Sequence, residues 1–537
     1  MKINFGCFPY KKMRKSQNNI LNTLNKYLDD YNNFILDIKT GQGKSGIAYT
    51  LGKSIGKTYL ITSTKQLQDQ YINEFKDIKS LKGKSNYICN KDNTLTCDNG
   101  ICKLNKHIKC LNCPYVNAKE DAQNSQIFLT SYAYFLKATS YKIIKPRDCI
   151  IFDEAHMLEN QLVSFSTTQL NVVDLEKKYN ISSNCDFIEF TKLSNYPKNE
   201  GYNDFNINWI NNIYNLLKLK INEYKNNIEV ISNNTKFDNL DSQDKKDILN
   251  YMNLSKQLDI LTSKIDIFFK ETKYNHDDWL INPSKKGIEL TPINVSGLYD
   301  KFIKPFAKSK IIFMSGTILD NKIFRTTFGI NQKDIITLKS DCDFDPKKSP
   351  IYYKPICKMN YESLNNNLPL ITKEVEKILD DNKDIKGIIH TSNHKIEHYI
   401  YDNISQKYKD RLIIRINKMT NSDIIEQHKY STNNSVLISP SLYEGTDLKD
   451  DLSRFQIIIK MPFDNIRNPR TNIKMKISMD WYNLNMFRKL VQTAGRSTRT
   501  KDDYSKTYIF DKSFKWFIQH YKNKKWLDKQ FLDRIVW

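Results

Sequence analysis

The chain has 537 residues, room for about two to four domains with sizeable cores, and its 39% hydrophobic and 12% aromatic content excludes a disordered polymer. A formal charge of +23 favours a polyanionic partner such as nucleic acid over a generally solvated basic surface. No run approaches the ~18 apolar residues of a membrane span and the first residues form no apolar leader, so a soluble, cytoplasmic protein without membrane contact is expected.

In chain order, Phe34-Ile35-Leu36-Asp37-Ile38 reads as a short buried strand. It is followed by the loop Lys39-Thr40-Gly41-Gln42-Gly43 and a helix start at Lys44-Ser45. Strand, glycine-rich loop, helix is the context of a phosphate-binding loop, although Ile38 stands where the pattern usually has its first glycine. Gly41 and Gly43 let backbone N–H groups close around phosphates. Lys44 reaches the β- and γ-phosphates of ATP, and Ser45 offers a hydroxyl to Mg2+.

Cysteines 89, 97, 102, 110 and 113 put five of the chain's ten cysteines into 25 residues. In a reducing compartment such density means metal ligands more often than disulfides. A four-thiolate site leaves one to spare, and the Cys110-x2-Cys113 spacing is attractive for a metal knuckle, displacing Cys97 or Cys102. Zinc and iron–sulfur are both compatible with these residues. Lys82, Lys84, Lys103, Lys106 and Lys109 make either a basic rim for nucleic acid or a solvated loop. Cys7, Cys149, Cys185, Cys342 and Cys357 are scattered and read as ordinary thiols.

Cys149-Ile150-Ile151-Phe152 reads as a second buried strand ending in the acidic box Asp153-Glu154-Ala155-His156. Asp153 suits Mg2+, Glu154 suits the attacking water, and His156 suits a link from the nucleotide to a second motor domain. From about residue 160 to 285 there is no motif. Ile210, Ile213, Leu217, Ile221 and Tyr224, and then Leu254, Leu258, Leu261, Ile265 and Phe268, recur at helical spacing around a loose polar connection over 226–247. Farther on, Val436-Leu437-Ile438 and Phe455-Gln456-Ile457-Ile458-Ile459 read as strands. Gln492, Arg496 and Arg499 fall on one helical face at i, i+4 and i+7, suited to γ-phosphate charge. The basic-aromatic end, with Trp516, Phe517, Tyr521 and Trp526, reads more readily as a docked terminal helix than as a base-stacking segment.

Taken together, the order of motifs resembles the XPD/DinG family of iron–sulfur helicases in superfamily 2, over residues 8 to about 511. Phe8-Pro9-Tyr10 with Arg14 and Gln17 is similar to the family's adenine-side motif. Ser63, Thr64, Lys65 and Gln70 lie in a segment like motif Ia, which faces single-stranded DNA. Phe313-Met314-Ser315-Gly316-Thr317 resembles motif III. Glu444, Gly445 and Asp447 match motif V, and Gln492, Gly495, Arg496 and Arg499 match motif VI. The resemblance implies an α/β fold of two RecA-like domains. The first would comprise residues 1–80, 114–160 and 285–330, with a cysteine-cluster insertion over 81–113 and a helical arch over 161–284. The second would cover 331–537. It implies a 4Fe–4S cluster on Cys89, Cys97, Cys102 and Cys113, with Cys110 the alternative ligand, ATP and Mg2+ between the motor domains, and 5′→3′ travel on single-stranded or forked DNA. A monomer in a bacterial or phage-infected cell is expected. An ATP-driven remodelling switch that does not unwind, and a zinc-containing RNA helicase-like protein, are the alternatives.

Overall fold

The structure is a computed structural model and describes all residues except 40, 101, 103–109, 183–203, 235–241, 285, 341–344, 417–418, 441–449 and 498–502. The expectations placed on Thr40, Lys103, Lys106, Lys109, Cys185, Cys342, Glu444, Gly445, Asp447 and Arg499 therefore lie outside the described residues.

Two seven-stranded sheets, both wholly parallel, organise the chain. The first has the spatial order Ile335–Lys339, Asn33–Asp37, Ala307–Ser315, Arg147–Asp153, Thr58–Thr62, Ile127–Ser131 and Lys79–Leu81. Its strands are continuous apolar runs because both faces are covered. Ile35, Ile61, Phe152 and Phe313 enter one core, while Phe34, Leu36, Leu60, Ile151 and Met314 enter the other. The second sheet has the order Leu412–Ile413, Val436–Ser439, Gly387–His390, Phe455–Ile458, Lys506–Asp511, Ile351–Cys357 and Ile535–Val536. Parallel strands align their carboxyl ends, so the phosphate loop, the acidic box and the residues after Thr62 and Ser315 gather on one edge of the first sheet.

Strand Ile335–Lys339 pairs with Asn33–Asp37, so the first sheet runs past the boundary expected at 330. The hairpin of Trp279–Ser284 and Gly287–Pro292 straddles the one expected at 284 and pairs with Thr168–Asn171 in a separate antiparallel sheet. The arch is a pair of packed helices, Asp204–Asn234 and Ser242–Thr272. Both extend into the stretch expected to be loose. Ile228, Ile231 and Met252 pack with buried Ile248, and this packing overrides the weak helix propensity of the asparagines. The five residues of the first stripe are buried, and Leu258, Ile265 and Phe268 of the second are buried with Leu254 and Leu261 packed beside them. Ser513–Tyr521 is a docked helix, with Phe517 and Trp526 buried.

Glu159, one turn beyond the acidic box, ties the two halves together. Its Oε1 accepts from Arg470 Nη2 at 2.7 Å and lies 3.6 Å from Lys474 Nζ, and its Oε2 accepts from Trp481 Nε1 at 2.9 Å. Burial alone would raise this carboxyl, but Lys474, Arg470 and the Trp481 N–H more than offset it and hold the group down at about 2. Arg470 also donates to the carbonyls of Pro292 and Ile293. Replacing Glu159 by Ala leaves two buried cations uncompensated, so Glu159→Ala is expected to destabilise the chain by about 3–5 kcal/mol. Urea unfolding of the variant against wild type measures this, and a loss under ~1 kcal/mol contradicts the assignment.

Candidate functional site

Gly41 (φ 78°) and Gly43 (φ 74°) both take left-handed conformations, which let the loop turn back on itself before helix Lys44–Ser54. A Cβ on Gly43 would stand 2.3 Å from the Gln17 amide nitrogen. The contact is close because Gln17 Nε2 donates to the Gly43 carbonyl at 3.1 Å while its Oε1 accepts from Arg14 N at 2.9 Å. Arg14 donates to the Gly41 carbonyl, and Ser16 Oγ donates to buried Gln42 at 2.8 Å. The expected adenine-side pair and the phosphate loop are thus one hydrogen-bonded unit. Tyr10 OH lies 3.4 Å from Ser45 Oγ and bonds Glu74. Burial, with Glu74 adding, pushes that phenol up to about 12.

Lys44 Nζ donates to Glu154 Oε1 at 2.5 Å, joining loop and acidic box directly. Asp153 is buried, with Oδ2 accepting from Tyr71 OH and Oδ1 from the Glu154 backbone N–H, each at 2.9 Å. Burial pushes the Asp153 carboxyl up to about 6 against the pull of Lys44. Burial would also raise Glu154, yet Lys44 and His156 hold it well below the usual carboxylate range. One carboxylate is thus kept ionised while its neighbour is poised to take a cation. A hydroxyl at Ser45 and a carboxylate at Asp153 form an all-oxygen set that fits Mg2+.

The acidic box reaches the second sheet through His156. Its Nδ1 is 2.8 Å from Ser315 Oγ and 3.3 Å from Glu154 Oε2, and its Nε2 is 2.6 Å from Gln492 Nε2. Gln492 Nε2 also donates to Thr317 Oγ1 at 3.0 Å. The imidazole thus bridges the two halves, with Nδ1 facing Ser315 and Glu154 and Nε2 facing Gln492. Arg488 Nε donates to the Thr317 carbonyl at 2.8 Å, and Lys39 pairs with Asp528 at 3.1 Å, so these contacts cross the cleft together with His156–Gln492 and Gln492–Thr317.

The expected helical face of Gln492, Arg496 and Arg499 is corrected at Arg496, Arg499 lying outside the described residues. Helix Met479–Ala494 ends at its C-cap Gly495, so Gln492 is helical and buried Arg496 lies in the turn beyond. Arg496 acts electrostatically on His390, whose imidazole burial, then Arg496, pulls down to about 3. In the motif Ia-like segment, half-buried Ser63 and Thr64 follow strand Thr58–Thr62, and Thr64 caps helix Lys65–Glu74 by accepting from Leu67 N at 3.2 Å. Lys65 and Gln70 are exposed, and Lys65 Nζ donates to Asn86 Oδ1 at 2.7 Å.

The cysteine segment leaves the first sheet after Lys79–Leu81, forms a short ribbon, Ile88–Cys89 with Asp92–Thr96, and returns through helix Pro114–Asn124. Arg147 donates to the carbonyls of Ala122, Gln123 and Ser125 at the end of that helix and so fixes Cys113 at its N-cap. Cys89, Cys97 and Cys113 are buried and Cys102 and Cys110 half-buried, all free thiols. Cys113 and Cys97 sulfurs are 3.7 Å apart. Burial, then Cys113, Cys102 and Cys89, pushes the Cys110 thiol up to about 11, so the spare candidate belongs to the same group. The paired sulfurs of Cys97 and Cys113, with three more thiols in the same insertion, are soft donors of the kind a soft metal or an iron–sulfur cluster takes. The two insertions also touch: Leu95 packs with Ile248, and Lys256 Nζ donates to the Asp98 carbonyl at 2.7 Å.

Tyr71, Glu159 and the Lys39–Asp528 pair escaped sequence reasoning. Tyr71 sits three helical positions after Gln68 in the motif Ia-like segment, and nothing local marks it as the partner of Asp153.

A family profile described as Helicase C-terminal domain matches residues 377–530, and one described as Type III restriction enzyme, res subunit, matches 10–191. The chain is 22% identical to a probable ATP-dependent helicase of Methanocaldococcus jannaschii, covering 94% of this chain and 92% of that one. It is 23% identical to the 3'-5' exonuclease DinG of Staphylococcus epidermidis over 78% of this chain, and it spans 53% of that relative's length. The ATP-dependent DNA helicase CHL1 of Vanderwaltozyma polyspora is 22% identical over 78% of this chain and 57% of its own. These relatives are archaeal, bacterial and eukaryotic, so they lend no support to the expected bacterial or phage source. Among solved structures, an XPD helicase superposes with a TM-score of 0.64 at 16% identity, covering 96% of this chain and 98% of that one. Xpd4 of S. tokodaii superposes at 0.57 with 15% identity, covering 95% and 99%. Among the described residues no helix is long and apolar enough to cross a membrane. Motifs, two parallel-sheet motor halves and relatives agree: the chain is an ATP-dependent helicase that resembles the XPD/DinG group of superfamily 2.

Proposed function

We propose that the chain is a DNA helicase that travels 5′→3′ along one strand on Mg2+·ATP hydrolysis, with a 4Fe–4S insertion where the strands part. The observation that carries this reading is the chain of contacts from Lys44 through Glu154 and His156 to Gln492, which couples the phosphate loop to the second motor half. In it, Lys44 binds the β- and γ-phosphates, Ser45 and Asp153 hold Mg2+, and Glu154 orients and polarises the attacking water. Loss of the γ-phosphate frees Lys44 to return to Glu154, and His156 passes that change to Gln492. Arg496 and Arg499 meet γ-phosphate charge. Arg14 and Gln17 brace the adenine side, Thr40 to Gly43 cradle phosphates, and Glu444, Gly445 and Asp447 contribute from the second half. Ser63, Thr64, Lys65 and Gln70 face the DNA strand, helped by the chain's charge of +23. The first motor domain is taken to run on to about residue 340, beyond the strand Ile335–Lys339.

Cys89, Cys97, Cys102 and Cys113 would hold the cluster, with Cys110 the alternative ligand. The cluster would supply rigidity where the segment's own core is small. Zinc is the second reading, favoured by one observation. Two thiolates 3.7 Å apart have the spacing of ligands sharing a tetrahedral zinc with Zn–S near ~2.3 Å.

Lys44→Ala is expected to lower DNA-stimulated ATP turnover by roughly 100-fold or more while DNA binding persists; equal turnover in both proteins sinks the phosphate-loop assignment. Gln492→Ala should uncouple the motor, with unwinding per ATP falling at least several-fold. A proportional loss of both activities argues against a relay role. Anaerobically purified protein should contain iron and sulfide, lost in Cys113→Ser, and should unwind forks with a 5′ tail in preference to a 3′ tail. Zinc without iron or sulfide replaces the cluster reading, and the opposite tail preference reverses the polarity.

A further inference from the structure

Three of the chain's eight histidines fall within nine residues of the second motor half, at His390, His394 and His398. Strand Gly387–His390 ends there, Ser392 takes a left-handed φ of 67°, and Asn393 caps helix His394–Asn403 by accepting from Ile396 N at 2.9 Å. The helix then places His394, Glu397 and His398 at i, i+3 and i+4, which share one face. Their ligand atoms lie within 4.8 Å of one another. His394 Nδ1 is 2.6 Å from Glu397 Oε2, and the two imidazoles are 6.3 Å apart with an interplanar angle of 32°.

An ordinary surface pair at i and i+3 keeps both carboxylate oxygens in water. Here His394 is 61% exposed but the Glu397 side chain only 2%, and Glu397 Oε1 is buried without a hydrogen-bond partner. A buried carboxylate with an unsatisfied oxygen is costly unless a cation reaches it. Two imidazole nitrogens stand on its solvent side. Two nitrogens and one oxygen on adjacent turns suit borderline cations such as Zn2+, Ni2+ or Cu2+ and not the hard, all-oxygen preference of Mg2+ or Ca2+. The helix N-terminus opposes a cation, and the charge of Glu397 offsets this.

We propose that His394, Glu397 and His398 bind a divalent transition cation of the zinc class, with water completing its coordination. This centre is separate from the cysteine cluster in donor chemistry and in motor half. It is independent of the nucleotide site, none of whose proposed ligands it uses. A bound ion would staple together the first two turns of the helix, which starts beyond the carboxyl end of strand Gly387–His390.

The test is titration of the full-length protein with Zn2+ alone against a chromophoric chelator, with His394→Ala, His398→Ala, Glu397→Gln and Cys113→Ser in parallel. Both histidines are exposed, so their removal should not disturb folding, and circular dichroism checks this. The site should take one Zn2+ that Cys113→Ser retains, with affinity falling by about tenfold or more in each of the other three variants. Co2+ in its place should give visible d–d bands in Cys113→Ser that are lost when His394→Ala or His398→Ala is added to that variant. Unchanged stoichiometry and affinity in both histidine variants would falsify the proposal, as would loss of all Zn2+ binding in Cys113→Ser.

Discussion

The Lys44–Glu154 ion pair is the contact on which the motor's geometry turns. A half-buried ammonium and a half-buried carboxylate each carry a desolvation cost, and each offsets the other's only while they remain together. A phosphate entering the loop competes for the same ammonium. The pair therefore has two arrangements and no comfortable middle, which is what a two-state coupling element requires. Everything around it limits how it can move. Tyr71 and the Glu154 N–H hold Asp153, the Gln17 amide locks Gly43, and His156 stands between Glu154 and Gln492.

Glu159 plays the complementary part. It is one turn away in the chain, yet its ion pairs with Arg470 and Lys474 and its bond from Trp481 make a dry, charge-dense joint between the halves. In the proposed mechanism the two motor halves thus meet through a contact that would respond to nucleotide and through one that has no evident reason to respond. A hinge needs both, a point that gives and a point that stays.

Much of this was legible in the residues. The strands carrying the phosphate loop and the acidic box were readable because a strand buried on both faces is a continuous apolar run, with a glycine-rich or acidic end marking its carboxyl edge. The arch stripes were readable because each helix buries a single face. Other features were not. Arg496 departs from the helical face because Gly495 stops the helix at a position where a longer one was equally consistent with the spacing. Tyr71 meets Asp153, and Glu159 meets Arg470, only after crossovers of 82 and 311 residues that no local pattern encodes. The helices extend into the asparagine-rich stretch from both sides because Ile228 and Ile231 find Ile248, a tertiary fact that overrides propensity.

The pairing of the first sheet bears on how the protein is made. Strand Asn33–Asp37, which carries the phosphate loop, has two sheet neighbours, Ala307–Ser315 and Ile335–Lys339. Both are synthesised some 270 to 300 residues after it, once the cysteine segment and the arch have left the ribosome. Until then a strand with the apolar centre Phe34-Ile35-Leu36 has both edges unpaired, and the glycine-rich loop has nothing to stand on. The oldest part of the catalytic site is thus among the last to be completed. A nascent chain passes through a long interval in which it can fold its cysteine segment before it can complete its motor.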